Sequence, residues 1–168
     1  MTISLPSVSA SRRALRSLAA VLALLLAPAA AQGQLASTKA LTVAAVKSML
    51  STAEATARQN SWNVSIAIVD AGGDLVGFLK LDGASAGTVQ ISQGKARTAA
   101  RFGRPTKVYS DRVLNDTLTF LSVDGLVALQ GGVPIIVDGR VIGAVGVSGV
   151  TSAQDEQVAM AAIAVLKP

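Results

Sequence analysis

The stretch GGVPIIVDGRVIGAVGVSG, residues 131–149, decides the fold. Asp138-Gly139 is the dipeptide favoured by a two-residue type I′ turn, and apolar, β-branched runs flank it on both sides. Pro134–Gly149 is therefore expected to form a β-hairpin. An echo lies upstream in IVDAGGDLVG, where a β-branched run again meets Asp and Gly before a second apolar run. Val64–Asp70 and Leu75–Leu81 are expected as the strands of that earlier hairpin, joined by the AGGD turn.

Helical patterns surround the two hairpins. Thr42 is placed to cap a helix in which Val46, Met49, Leu50, Ala53 and Ala57 form one apolar stripe. GTVQISQGKARTAARFGRPTK, from Gly87 to Lys107, is Ala-rich and expected to be helical until Pro105, since a residue preceding proline avoids the helical region. Ser110 or Asp111 would cap a short helix through Leu118. Phe120–Leu129 is apolar but ambiguous. Ser152 with Asp155 resembles a capping box for a last helix that buries Val158, Ala161, Ala162 and Val165. The order helix, hairpin, helices, hairpin, helix fits an α+β fold, an antiparallel sheet flanked by helices.

The first thirty residues differ from the rest. Arg12, Arg13 and Arg16 precede LAAVLALLLAPAA, and small residues follow in APAAAQG. A basic segment, a short apolar core and an A-x-A site describe a secretory signal peptide. Its core of ~13 residues is short for a membrane span of ~20. Cleavage after Ala31 is expected, leaving residues 32–168 as a single domain, periplasmic or secreted, without a stable membrane anchor. Ser11-Arg12-Arg13 also resembles a twin-arginine signal, but the aromatic residue usual there is missing.

Charge must be read without that segment. All ten acidic residues but only twelve of the fifteen basic ones lie after Ala31, a net charge of +2. A near-neutral domain lacks the basic footprint of a nucleic-acid binder. The chain contains neither cysteine nor histidine, which excludes disulfides, thiolate or imidazole zinc sites, Ser-His-Asp triads and His-ligated haem. Few aromatic residues leave a core of small side chains, for which oligomerisation is a common remedy.

The Gly87–Lys107 segment invites a phosphate reading, and the spacing denies it. Gly87 and Gly94 are separated by six residues, and Ala96 follows Lys95, so the P-loop hydroxyl is missing. On a helical wheel Arg97, Arg101 and Arg104 share one face, suited to a carboxylate or phosphate clamp or simply solvated. Ala96, Ala100 and Gly103 form a smooth side. Lys95 falls on the apolar face with Ile91, Thr98, Ala99 and Phe102. It either snorkels to water or reaches into a pocket to pair with an acidic ligand.

Taken in order, VDAGGDLVGFLKLDGA, GKARTAARFGRPT and GGVPIIVDGRVIGAVGVSG resemble the GlcG/HbpS family, which includes the C-terminal domain of PduO-type proteins. The likeness runs from about Leu41 to Leu166. It implies an α/β sandwich and a homo-oligomer, with haem as the candidate cofactor in some members. Relatives often carry histidine where this chain has Asp74, and aspartate is a poor iron ligand. An axial ligand would have to come from Tyr109, Met49, Met160 or a hydroxyl, and haem propionates would suit Arg97, Arg101 or Lys95. Lys95, Arg97, Arg101, Tyr109, Asp74 and Asp82 are thus the candidate ligand contacts, with no catalytic residue and no metal site assigned. Three functions are consistent with these residues. One is a binding protein for haem or another acidic small molecule. Another is an enzyme for a small carboxylate or aldehyde using Lys95 with Asp70, Asp82 or Asp155. The last is an oligomeric interaction module packed through Ala96, Ala100, Gly103 and the glycines at 143, 146 and 149.

Overall fold

In the computed structural model, which describes residues 38–167, two hairpins share one antiparallel sheet. β1 (Ser65–Asp70) pairs with β2 (Leu75–Lys80), and β3 (Gly132–Val137) with β4 (Arg140–Ser148). The hairpins join through their inner strands, Ser65 opposite Ser148 and Asp70 opposite Gly143, giving the order β2–β1–β4–β3. Asp138 (φ 50°) and Gly139 (φ 73°) both adopt the left-handed conformation that a type I′ turn demands. β1 lies inside the sheet with helices on both faces, which is why its central residues IAIV form an unbroken apolar run rather than alternating. The segment expected to direct export, residues 1–31, lies outside the described residues.

The two faces are packed from different materials. Ile66, Ile68, Ile135, Val145 and Val147 meet α1 (Val43–Gln59) and α4 (Ser152–Ile163) through Val46, Met49, Ala53, Ala57, Val158 and Ala162. On the other face Ala67, Val69 and Ala144 meet the alanines Ala96, Ala99 and Ala100 of α2 (Gly87–Phe102), with Phe78 packed against the same cluster. Small side chains on both partners let α2 lie close to the strands. Gly146 sets the limit, because a Cβ there would collide with Ser92 O and Ala96 N. The expected smooth seam thus faces inward: Ala96 and Ala100 are buried against the chain's own sheet. Gly143 and Gly149 likewise sit against the backbone of Val69 and Asn63.

Four local expectations are corrected. α2 ends at Phe102, ahead of Pro105, because Gly103 (φ 62°) turns left-handed and takes Arg104 off the arginine face. α3 (Lys107–Leu114) begins earlier than Ser110 or Asp111. Its start is fixed by a tertiary contact: Thr106 N donates to Gly132 O at 2.9 Å, and Gly132 N donates to Thr106 Oγ1 at 2.8 Å. That helix stops at Leu114 instead of running through Leu118, and a separate 3₁₀ helix, Leu118–Ser122, leads into the ambiguous apolar segment. Finally, the cap of α4 is Thr151 with Gln154. Asp155 faces inward, as do Val158, Ala159 and Ala162, whereas Ala161 and Val165 are only half-buried.

Candidate functional site

α2 carries three cationic side chains of interest, and its close seat on the sheet determines what each can reach. Lys95 points between the end of β4 and the start of α4. Its Nζ lies 2.7 Å from Asp155 Oδ2 and donates to Val147 O at 2.9 Å. Val150 N donates to the other carboxylate oxygen of Asp155 at 3.2 Å. Both side chains are 2% exposed. Gly131 (φ 121°) presses its backbone against the pair, and a Cβ there would stand 2.9 Å from Nζ. Lys95 neither snorkels nor offers its charge to a ligand: the pair is internal and sealed. Burial pushes the Asp155 carboxyl above its ordinary range, opposed by the hydrogen bond and charge of Lys95.

Arg97 and Arg101 meet a different environment, the turn between β1 and β2. Asp70 Oδ1 accepts hydrogen bonds from Gly72 N and Asp74 N, each 2.9 Å, and so folds the turn upon itself. That use of its carboxylate removes Asp70 as a partner for Lys95. Arg101 Nε then donates to Gly72 O at 3.1 Å. Gly73 (φ 91°) has its α-carbon directly under the arginines. A Cβ there would lie 2.9 Å from Arg97 Cγ and 3.1 Å from Arg101 Nε. Among the described residues neither arginine takes part in an ion pair. Asp74 follows on the same turn and is exposed.

The other candidates lie apart. Tyr109 is 6% exposed. Its ring makes edge contacts with Phe102 and Phe120, centroids 5.6 and 5.5 Å away, and Arg112 stands 5.1 Å above Phe120. Asp82 is at the far end of the sheet from the arginines. It lines a cleft of about 220 Å³ with Arg58, Trp62 and Asn63. Of the six candidate contacts, the structure gathers Arg97, Arg101 and Asp74 around one turn, seals Lys95, encloses Tyr109 in an aromatic cluster and separates Asp82. Sequence reasoning overlooked the Gly72-Gly73 turn as the arginines' neighbour, although its paired glycines after Asp70 were the available signal.

Two guanidinium groups beside a tight glycine turn can grip carboxylates through paired N–H donors. Among the described residues, no three Asp or Glu side chains group as a metal site.

Residues 41–164 match the family model described as haem degrading protein HbpS-like. The chain is similar to protein GlcG of Escherichia coli K12, 48% identical over 92 residues, 55% of this chain and 69% of that one. Its fold is similar to the crystal structure of a double mutant of HbpS from Streptomyces reticuli. The TM-score is 0.74 at 31% identity, over 84% of this chain and 98% of that one. A PduOC:heme complex is similar at TM-score 0.69 and 28% identity, over 76% and 96% of the two chains.

Proposed function

Because this chain belongs to the HbpS-like family, we propose that it is an exported binding protein for an acidic, haem-type small molecule, held by its carboxylates at the arginine face of α2. The observation that carries this reading is the pair Arg97 and Arg101 laid over Gly72-Gly73, outside any ion pair among the described residues. A relative crystallised as a heme complex supports the ligand class. The apolar segment before Gln32 supports export, and N-terminal sequencing of the protein from an extracytoplasmic fraction should begin at Gln32.

The residues fit one end of haem and not the other. Propionates suit the guanidinium groups. The iron finds no imidazole or thiolate in this chain. Met49 is sealed in the core, Tyr109 is enclosed by two phenylalanines, and Met160 lies on α4, across the sheet from α2. Asp74 takes the position where imidazole would be useful. The carboxylates, not the iron, therefore carry recognition.

That distinction is testable with the purified protein, titrated with haem and with iron-free protoporphyrin IX. The two should bind with similar affinity. Arg97→Gln/Arg101→Gln should weaken both by about tenfold or more, since each charge-assisted bond contributes ~1.5–3 kcal/mol. Haem binding without porphyrin binding, or affinity unchanged in the double variant, would overturn the reading.

The exposed Leu114, Leu118 and Leu121, with Phe102 and Val123, form an apolar run around α3 and the 3₁₀ helix. Such a run supports assembly with further copies of the chain. Sedimentation of the purified protein should show an oligomer; a strict monomer is the contrary result.

A further inference from the structure

We infer that the other helical layer holds a second, separate ligand site, for a medium-chain aliphatic carboxylate. A cavity of about 470 Å³ opens where the start of α1, the end of α4 and the β3–β4 hairpin meet. That volume lies in the range of small-molecule pockets, ~300–1,000 Å³. The cavity sits across the sheet from the arginine cluster, so it does not depend on the proposed porphyrin site.

The lining dictates the ligand. Leu41, Ile142, Ile163 and Leu166 supply aliphatic walls, with no aromatic ring among the lining residues. Branched aliphatic walls accept a flexible alkyl chain and offer no platform on which a planar ring could stack. Among the described residues, two lysines, Lys39 and Lys167, are the charged residues that line it, and no acidic side chain does. Lys39 reaches Asp138 at 3.2 Å, with the two side chains 57% and 75% exposed. So exposed a pair contributes only ~0–1 kcal/mol, and a ligand carboxylate can displace it. An alkyl chain in the cavity with its carboxylate between the lysines satisfies both features; a neutral or cationic head group satisfies one.

The experiment uses the purified protein with decanoate below its micelle concentration, and decan-1-ol and decylamine as comparators, read by calorimetry. Decanoate should bind at least about tenfold more tightly than decylamine. Lys39→Gln/Lys167→Gln should bring decanoate to the level of decanol, and both side chains are exposed, so the fold should persist. Ala45→Phe, which places a ring in the cavity from the surface of α1, should weaken all three probes. Arg97→Gln/Arg101→Gln should leave decanoate unaffected, which separates this site from the one proposed above. Failure of decanoate to bind, equal binding of the three probes, or full affinity in the lysine variant would overturn the inference. Binding seen only in a chain shortened to begin at Thr38 would also overturn it, by giving the cavity to the preceding residues.

Discussion

Lys95 and Arg101 stand on one helix within two turns of each other, yet their charges meet opposite conditions. The lysine enters the space between β4 and α4, loses its water and takes an acid from a distant element as its partner. The arginine leans on a turn, where one N–H meets a backbone carbonyl and the chain provides no counter-ion among the described residues. A sealed, paired charge contributes to the architecture. An open charge over a glycine turn retains donors for a visitor. Cationic residues on a helix therefore cannot be counted together as one anion site.

The largest expected effect breaks the buried half of that contrast. Lys95→Met leaves the Asp155 carboxylate unpaired, a loss of ~3–5 kcal/mol in denaturant unfolding at neutral pH. The pH dependence has a definite sign. A carboxyl whose folded pKa is raised holds its proton more tightly when folded, so stability is lost as pH rises through that folded value and regained on acidification. Without the ammonium the carboxyl moves further up, so the deficit of Lys95→Met against the parent should shrink in mild acid. Asp155→Asn leaves the ammonium unpaired instead, and its deficit should show no such relief. Equal pH profiles for the two variants would contradict the pair's ionic character.

Next comes the support shared by both halves. Gly146→Ala pushes α2 from the strands and should cost ~1–3 kcal/mol, as overpacking does. A change in Tm near zero would mean the helix is free to move. Gly73→Ala is comparable in size but more selective. A non-glycine residue at φ 91° is strained by ~1–3 kcal/mol, and its Cβ also displaces Arg97 and Arg101. It should therefore lower porphyrin affinity as well as stability. The smallest stability effect belongs to Arg97→Gln/Arg101→Gln, within about 0.5 kcal/mol of the parent, despite the loss of ligand. A large destabilisation there would make the arginines architectural too.

Both hairpins were legible because turn chemistry is local: Asp138-Gly139 and Gly72-Gly73 announce their geometry within a few residues. So were the apolar stripe of α1 and, for Arg97 and Arg101 though not Arg104, the arginine face of α2. What escaped was set by distant partners. Lys95 stood out on its apolar face and Asp155 was one of three acids named beside it, but the two lie 60 residues apart, and spacing could not choose Asp155 over Asp70 or Asp82. Asp155 also looked like part of a local cap with Ser152, which hid its inward role. The start of α3 depends on Gly132, a strand residue with no sequence relation to Thr106. Tyr109 was read as a possible ligand contact, yet Phe102 from the preceding helix and Phe120 from the following 3₁₀ helix enclose it. The chain's likeness to its family conveyed the layers of the sandwich and left the partners of individual charges open.

Amide chemical-shift mapping of the purified protein with iron-free protoporphyrin IX tests the division between the two charges most directly. The account predicts that the largest shifts fall on Gly72, Gly73, Asp74, Arg97 and Arg101, while Gly131, Val147 and Asp155 stay in place. Shifts centred on the latter three residues would contradict it.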